Sequence, residues 1–119
     1  MTDPRKQTGK IGEDLAATFL ETRGFRLISK NWSCRLGEID LIVERNGELR
    51  FVEVKTRHST QFGYPEEAIT PTKLEHLRRA IELYLRTVQN PPERYQADAI
   101  SILAKPGQKP EIRWIEGIL

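Results

Sequence analysis

The sequence predicts an α/β domain with a mixed central sheet of about five strands flanked by helices. Hydrophobic periodicity gives the element order α-β-β-β-α-β-β. An Asn46-Gly47 pair between two apolar runs is typical of a β-hairpin, so the first three strands are expected to form an antiparallel meander. The second helix then acts as a crossover that returns the chain parallel to the third strand.

The first half of the chain contains one predicted helix and three predicted strands. Residues 1–8 are polar and are expected to be mobile, whereas residues 9–119 are expected to form a single domain. From Gly9 to Arg23 apolar residues recur at helical spacing, and Gly24 is a typical stop signal. Apolar and β-branched runs predict strands over 25–32, 37–44 and 49–57.

The second half supplies the crossover and two further strands. Residues 58–68 have the composition of a loop. Thr70 and Pro71 provide a helix N-cap and a favoured first helical residue. The helix that follows is ended by the residues Asn90, Pro91 and Pro92. Strands are predicted over 95–104 and 111–116.

The composition excludes several classes of protein. No apolar run reaches the roughly 20 residues that a membrane span needs, and the N-terminus lacks the apolar segment of a secretory signal. We therefore expect a cytoplasmic protein with no membrane partner. Cys34 is the only cysteine, which rules out an internal disulfide and a cysteine-based metal cluster. The net charge of +2 is too small to indicate nucleic-acid binding by itself.

The hairpin places charged residues on one face of the predicted sheet. If Asn46 and Gly47 form the turn, Asp40 lies directly across from Glu53, and Lys55 lies across from Glu38. The opposite face is expected to be continuously apolar, and it comprises Ile39, Leu41, Val43, Val52 and Val54.

Two carboxylates placed in this way need a counter-charge, because like charges directly opposed on a sheet are destabilising. Lys55 is one candidate. A hard divalent cation such as Mg²⁺ is a better one, since it prefers oxygen ligands, and the Val54 carbonyl could be a further ligand. Glu13 lies at the edge of the apolar face of the first helix, where it leans toward the sheet and could reach the same metal.

Several stretches of the chain resemble one known family. "GKIGEDLAATFLETRGF", "GEIDLI" and "FVEVK", at their spacing in this chain, are similar to the bacterial YraN-type family of the PD-(D/E)XK nuclease superfamily. The resemblance implies a restriction-endonuclease-like α/β/α core close to archaeal Holliday-junction resolvases. It implies that Asp40 is the first acid of the motif, that Glu53 and Lys55 are its E-x-K, and that Glu13 is the acid of the first helix. Ile39 stands where the motif name has proline.

Basic residues near the motif are candidates for contacts with phosphates. They are Arg57, Lys73, Arg78 and Arg79. Lys73 is the strongest of them, because a cation in the first turn of a helix opposes the helix dipole and so indicates a purpose other than helix stability. The alternative is a solvated helix face, with Glu75 interspersed among the cations.

Three further residues have alternative interpretations. Glu38 either holds Lys55 or is a surface acid, and Asp98 is expected to be a structural acid that pairs with a base. His58 has no partner acid in a recognisable arrangement, so we expect it at the surface.

These observations predict a metal-dependent endonuclease that uses Mg²⁺ or Mn²⁺ to hydrolyse DNA, including branched or structured DNA. The alternative is a non-catalytic nucleic-acid-binding module that keeps the nuclease fold. A homodimer is implied only by the resemblance to resolvases.

Overall fold

Five strands form one sheet in the order β1-β2-β3-β4-β5, with α-helices on both faces. The computed structural model describes residues 3–119, without the side chain of Pro4. In chain order the elements are α1 (Pro4–Glu21), β1 (Arg26–Cys34), β2 (Gly37–Arg45), β3 (Glu48–Arg57), a short 3-10 helix (Pro65–Ala68), α2 (Pro71–Thr87), β4 (Arg94–Leu103) and β5 (Glu111–Ile115).

The hairpin between β2 and β3 has the predicted turn and register. Asn46 and Gly47 both have positive φ angles, 53° and 77°, as a two-residue type I′ turn requires. The pairing begins at Arg45 with Glu48 and continues in the same register along the strands. Because side chains alternate along a strand, this register decides which residues share a face at the other end of the hairpin.

The crossover prediction is also confirmed. β3 and β4 pair in parallel along their whole length, and α2 lies between them in the chain. β5 pairs antiparallel with the far side of β4. The Thr70 side chain accepts a hydrogen bond from the Lys73 N–H at 3.3 Å, so it caps α2 as its sequence position predicts. The sheet is therefore mixed, with parallel pairing at its centre.

The two faces of the sheet are covered by different helices. α1 packs through Ala16 and Leu20 on a cluster of buried residues that includes Val43, Val52 and Ile100. α2 covers the opposite face with another buried set, which comprises Leu77, Ala80 and Ile81 against Ile42, Phe51 and Ala97. This is the predicted α/β/α arrangement. In residues 3–119 neither helix combines the length and the apolarity that crossing a membrane requires.

The first helix begins earlier than the sequence analysis placed it. α1 begins at Pro4 rather than at Gly9, and the Asp3 carboxylate caps it by accepting the Arg5 N–H at 2.9 Å. Residues 4–8, assigned to a mobile N-terminus, therefore form the first part of α1. A capping acid followed by proline favours a helix start even where the following residues are polar. Met1 and Thr2, assigned to the same mobile segment, lie outside the described residues.

Asp98 is a structural acid, as predicted. Its side chain is fully buried, and it accepts a hydrogen bond from the Arg50 guanidinium at 2.8 Å. Trp114, Gln96 and the Gly117 N–H donate the remaining hydrogen bonds to the same carboxylate. A buried charge is tolerated only when it is paired and hydrogen-bonded. Asp98 therefore joins β3, β4 and the chain after β5.

Candidate metal centre

The β2–β3 ladder ends before the charged residues of the hairpin. Its last pair is Leu41 with Val52. One residue further, Asp40 Oδ2 accepts the Val54 N–H at 2.8 Å, so a side chain takes the place of a strand partner. We call this point, beyond Leu41 and Val52, the fork. The prediction that Asp40 lies directly across from Glu53 is wrong, because the pairing of β2 with β3 ends one residue before Asp40.

A break in alternation accompanies the fork. Ile39 packs with Ile42 and Phe51 on the α2 face, so the prediction that it shares a face with Leu41 is wrong. Opposite this part of β2, Asn31 of β1 has a positive φ of 52°. Irregular backbone of this kind redirects side chains in sheets and is common near functional sites.

Close packing of α1 on β3 brings Glu13 to the fork. Gly12 is buried, and a Cβ at this position would overlap Thr56 Oγ1. Only glycine lets the helix backbone approach the strand this closely. The neighbouring residue, Glu13, then lies over the fork and is half-buried, as the sequence predicted.

Three carboxylates converge at this point. One oxygen from each of Glu13, Glu38 and Asp40 lies within 4.8 Å of the others. We call this set the acid cluster. From the sequence, Glu38 was either a partner of Lys55 or a surface acid. Its position two residues before Asp40 on β2 indicated that it could lie near Asp40. Its distance to Glu13, however, depends on how α1 packs, which the sequence does not give.

Glu53 and Lys55 lie at the same fork, beside the acid cluster. Glu53 forms an ion pair with Lys55 at 3.5 Å. Lys73, in the first turn of α2, is close enough that Lys55 lowers its pKa. The Glu53 carboxylate, in contrast, raises the pKa of Lys73. Glu13 and Asp40 line a cavity beside α1 together with Glu53 and Lys55, whereas Glu38 lies with Glu53 and Lys73 on the side of α2.

The pKa values of the three acids Glu13, Asp40 and Glu53 are all raised, mainly because they are partly buried. Burial raises the pKa of Asp40 to about 8, and the nearby Glu53 charge adds to the increase. Burial also raises the pKa of Glu53 and of Glu13. Each of these carboxyl groups therefore resists ionisation until a positive charge joins it.

The donor set suits a hard divalent cation. Carboxylate oxygens are the ligands that Mg²⁺ and similar ions prefer, and such ions keep several waters. The separations of up to 4.8 Å within the acid cluster allow its oxygens to surround one ion with small side-chain adjustments. A bound cation would also favour the ionised form of Asp40, whose pKa is raised by burial and then by the charge of Glu53.

An open cavity of about 550 Å³ gives access to the fork. Glu13, Asp40, Glu53 and Lys55 line it, together with the His58 ring. His58 is exposed, as the sequence predicted, and the fold of the chain after β3 places it at the border of the cavity.

The His58 ring has a defined hydrogen-bonding arrangement. Its Nδ1 lies 3.0 Å from the Ala104 carbonyl, which can only accept, so Nδ1 carries a hydrogen. Its Nε2 lies 3.2 Å from the Thr8 hydroxyl. Both contacts fix the plane of the ring at the edge of the cavity.

The predicted phosphate-binding residues occupy different environments. Arg57 donates to the Phe62 carbonyl at 3.3 Å at the end of β3. Arg78 and Arg79 form ion pairs with Glu75, as expected for a solvated helix face. Of the α2 cations predicted to bind phosphate, Lys73 is the one whose charge acts on the fork. Their binding of nucleic acid stays a prediction.

The substitution Gly12→Ala is expected to destabilise the protein by about 1–3 kcal/mol, because the added methyl group overlaps Thr56 Oγ1 and pushes α1 away from β3. Urea unfolding measures the loss. Gly9→Ala is the matched control, because a Cβ there meets no atom within 4 Å and alanine favours the helix. Equal stability of the two variants would contradict the close contact.

The fold and the fork together define a class of protein. An α/β/α core with a mixed five-stranded sheet, carrying acids and a lysine where two central strands separate, is restriction-endonuclease-like. The chain belongs to the uncharacterised protein family UPF0102, whose model matches residues 12–102. The resemblance to the YraN-type family is thereby confirmed.

Relatives in this family match most of the chain. A UPF0102 protein of Leifsonia xyli is 43% identical over 115 residues, which cover 97% of this chain and 98% of the relative. Another, from Syntrophomonas wolfei, is 42% identical over 103 residues, with 87% and 90% covered. One from Neisseria meningitidis serogroup C is 43% identical over 112 residues, with 92% of each chain covered.

Proposed function

We propose that this protein is a metal-dependent nuclease that hydrolyses phosphodiester bonds in DNA. The observation that carries the proposal is the convergence of the acid cluster, Glu53 and Lys55 at one accessible fork. Neighbouring carboxylates whose pKa values are raised by burial cost stability, so the presence of Asp40, Glu53 and Glu13 in an open cavity favours a functional role.

The acid cluster would hold Mg²⁺ or Mn²⁺, with Asp40 as the central ligand and Glu53 and the Val54 carbonyl as further ligands. A divalent ion in such a site lowers the pKa of bound water and polarises a phosphoryl oxygen. The Asp40 carboxylate is held in place by the Val54 N–H, so its geometry does not depend on substrate. Glu13 reaches the fork from α1, and its position depends on Gly12.

Lys55 has a separate role in the proposed reaction. Its ammonium group lies in the cavity beside Glu53, where it would orient the attacking water or stabilise charge that develops on the phosphoryl oxygens. Glu53 restricts the lysine side chain to this position. Lys73 would bind the adjacent phosphate, because phosphate contacts supply most of the non-specific affinity for DNA.

The alternative is a nucleic-acid-binding module without catalysis. Lys55, Lys73 and Arg57 could contact a phosphate backbone without any metal. This alternative gives the acid cluster no use, because its carboxylates would repel the same backbone. The homodimer that the resemblance implies would place two forks in one assembly and stays a prediction.

Cleavage assays distinguish the two functions. The purified chain is incubated with linear, single-stranded and branched DNA in Mg²⁺, in Mn²⁺ and in EDTA. We expect cleavage that requires the cation and that Asp40→Ala abolishes. Glu21→Gln is the matched control, since it removes one exposed carboxylate at the far end of α1 and should leave cleavage unchanged.

Each outcome of the assays has a clear meaning. Cleavage by the wild-type chain and by Asp40→Ala to the same extent would indicate a contaminating nuclease. DNA binding without cleavage by either chain would favour the non-catalytic module. EDTA-resistant cleavage that still requires Asp40 would contradict a metal-dependent reaction.

A further inference from the structure

Phe62 is an aromatic side chain that lies almost entirely in solvent. It is 79% exposed, the largest value among the exposed large hydrophobic residues of the described chain. It belongs to the segment 58–64, which joins β3 to the 3-10 helix. Burying such a side chain against a ligand would be favourable by about 1.5–3 kcal/mol, so the exposed ring is available for binding.

The loop that carries Phe62 is held on both sides. The Arg57 guanidinium donates to the Phe62 carbonyl at 3.3 Å. Gly63 has a φ of 97°, which turns the chain directly after Phe62. Tyr64 is covered by the Arg113 guanidinium, 4.2 Å from its ring centre. Phe62 therefore stands at the tip of a loop that is fixed before and after it.

The loop follows directly after the end of β3 that carries Lys55. Arg57 follows Lys55 by two positions on β3, so both side chains leave the same face with their Cα atoms about 7 Å apart. His58, the next residue, lines the cavity together with Asp40. The distance from Lys55 to Arg57 corresponds to about two base steps of a nucleic-acid strand at 3.4 Å each.

We propose that Phe62 stacks on an unpaired base of the strand bound at the fork, beyond the scissile phosphate, so that the substrate is DNA with unpaired nucleotides. This inference rests on the proposed function. Proteins that bind single strands combine cations along the backbone with aromatic side chains that stack on bases. Here Lys55, Arg57 and the cavity-lining Arg5 are the cations. Bases inside a duplex are already stacked on both sides, so Phe62 gains a partner only where pairing is interrupted.

Binding is measured by fluorescence anisotropy in Ca²⁺, an oxygen-binding cation that would occupy the acid cluster and remove its repulsion of phosphates, and gels check that the probes stay intact. The probes are oligo-dT of about 15 nucleotides, a duplex of the same length, and that duplex with a single-stranded flap. The wild-type chain is expected to prefer the two probes with unpaired bases. Phe62→Ala should weaken binding to these probes by about 5- to 100-fold and to the duplex by less than about twofold, while Phe62→Trp should bind as wild type does.

The matched control is Tyr95→Ala. Tyr95 is 50% exposed and lies beside Leu49 at the hairpin end of the sheet, away from the fork. It should bind all three probes as the wild type does. Thermal unfolding of each variant checks that the fold is retained.

Several results would overturn the inference. The first two are that the wild-type chain does not bind oligo-dT, or does not prefer it to the duplex. The others are that Phe62→Ala keeps the wild-type affinity, or loses affinity equally for all probes. An oligo-U arm separates DNA from RNA as the source of unpaired bases, and tighter binding of oligo-U would overturn the assignment to DNA. Because these measurements report binding rather than cleavage, they can fail while cation-dependent cleavage persists, and they can succeed where cleavage is absent.

Discussion

Asp40→Asn is expected to lower the cleavage rate at least about 1000-fold and, without metal, to raise stability at pH 8 by about 1–3 kcal/mol. The rate falls because the substitution removes the central carboxylate of the acid cluster. Stability rises because asparagine can still accept the Val54 N–H but carries no charge beside Glu53 and Glu13. A variant that removes activity and stabilises the fold is typical of a site whose charges serve function.

The pH dependence gives the sign of the stability effect. The pKa of Asp40 is about 8 in the folded protein and near 3.8 in the unfolded chain, so the folded state binds more protons between these values. The free energy of unfolding should therefore decrease as the pH rises from about 5 to 8, with a slope of at most about 1.4 kcal/mol per pH unit for this group. Glu13 and Glu53, whose pKa values are also raised, add to the same slope.

Chemical denaturation in EDTA at several pH values measures this effect. The wild-type curve should fall with pH more steeply than the Asp40→Asn curve, and Glu21→Gln should follow the wild type. Adding Mg²⁺ at high pH should restore wild-type stability but have little effect on Asp40→Asn. Parallel curves for the wild type and Asp40→Asn would show that the Asp40 carboxyl group is not perturbed.

Lys55→Met should lower the cleavage rate by about 100- to 1000-fold without weakening metal binding. Lys55 faces the cavity beside Glu53 and is the cation placed to stabilise charge on the reacting phosphate. Its removal takes a positive charge away from the carboxylates, so the affinity for Mn²⁺ should stay the same or increase. Methionine keeps the length of the side chain, which limits changes in packing.

Single-turnover cleavage at saturating Mn²⁺ gives the rate, and titration calorimetry gives the affinity for Mn²⁺. Lys109→Met is the control, because Lys109 is exposed in the turn between β4 and β5 and the substitution changes the net charge equally. A loss of Mn²⁺ affinity together with the rate would make Lys55 a residue that supports the metal site rather than one that acts on substrate.

The sequence predicted the features that depend on local rules. Asn46-Gly47 determined the turn, and period-2 alternation then gave the register of β2 on β3. Thr70 and Pro71 marked the start of α2 for equally local reasons, since a side chain caps the helix and proline fits its first turn. This register also placed Asp40, Glu53 and Lys55 at a common end of the sheet.

Features that depend on tertiary packing could not be predicted in this way. Asp40 replaces a strand partner by bonding to Val54, and this ends the ladder that placed it opposite Glu53. Glu38 joins the acid cluster only because α1 brings Glu13 over the fork. The alternation of side chains along β2 gives no information about where α1 packs. Neither result could therefore be predicted from the spacing of residues in the sequence.

The most direct measurement is the anomalous diffraction of crystals soaked with Mn²⁺. We expect one strong peak at the fork, with Asp40 and at least one other acid of the cluster as direct oxygen ligands of the ion. A saturating soak that gives no peak there, or a peak elsewhere while these carboxylates point apart, would contradict this expectation.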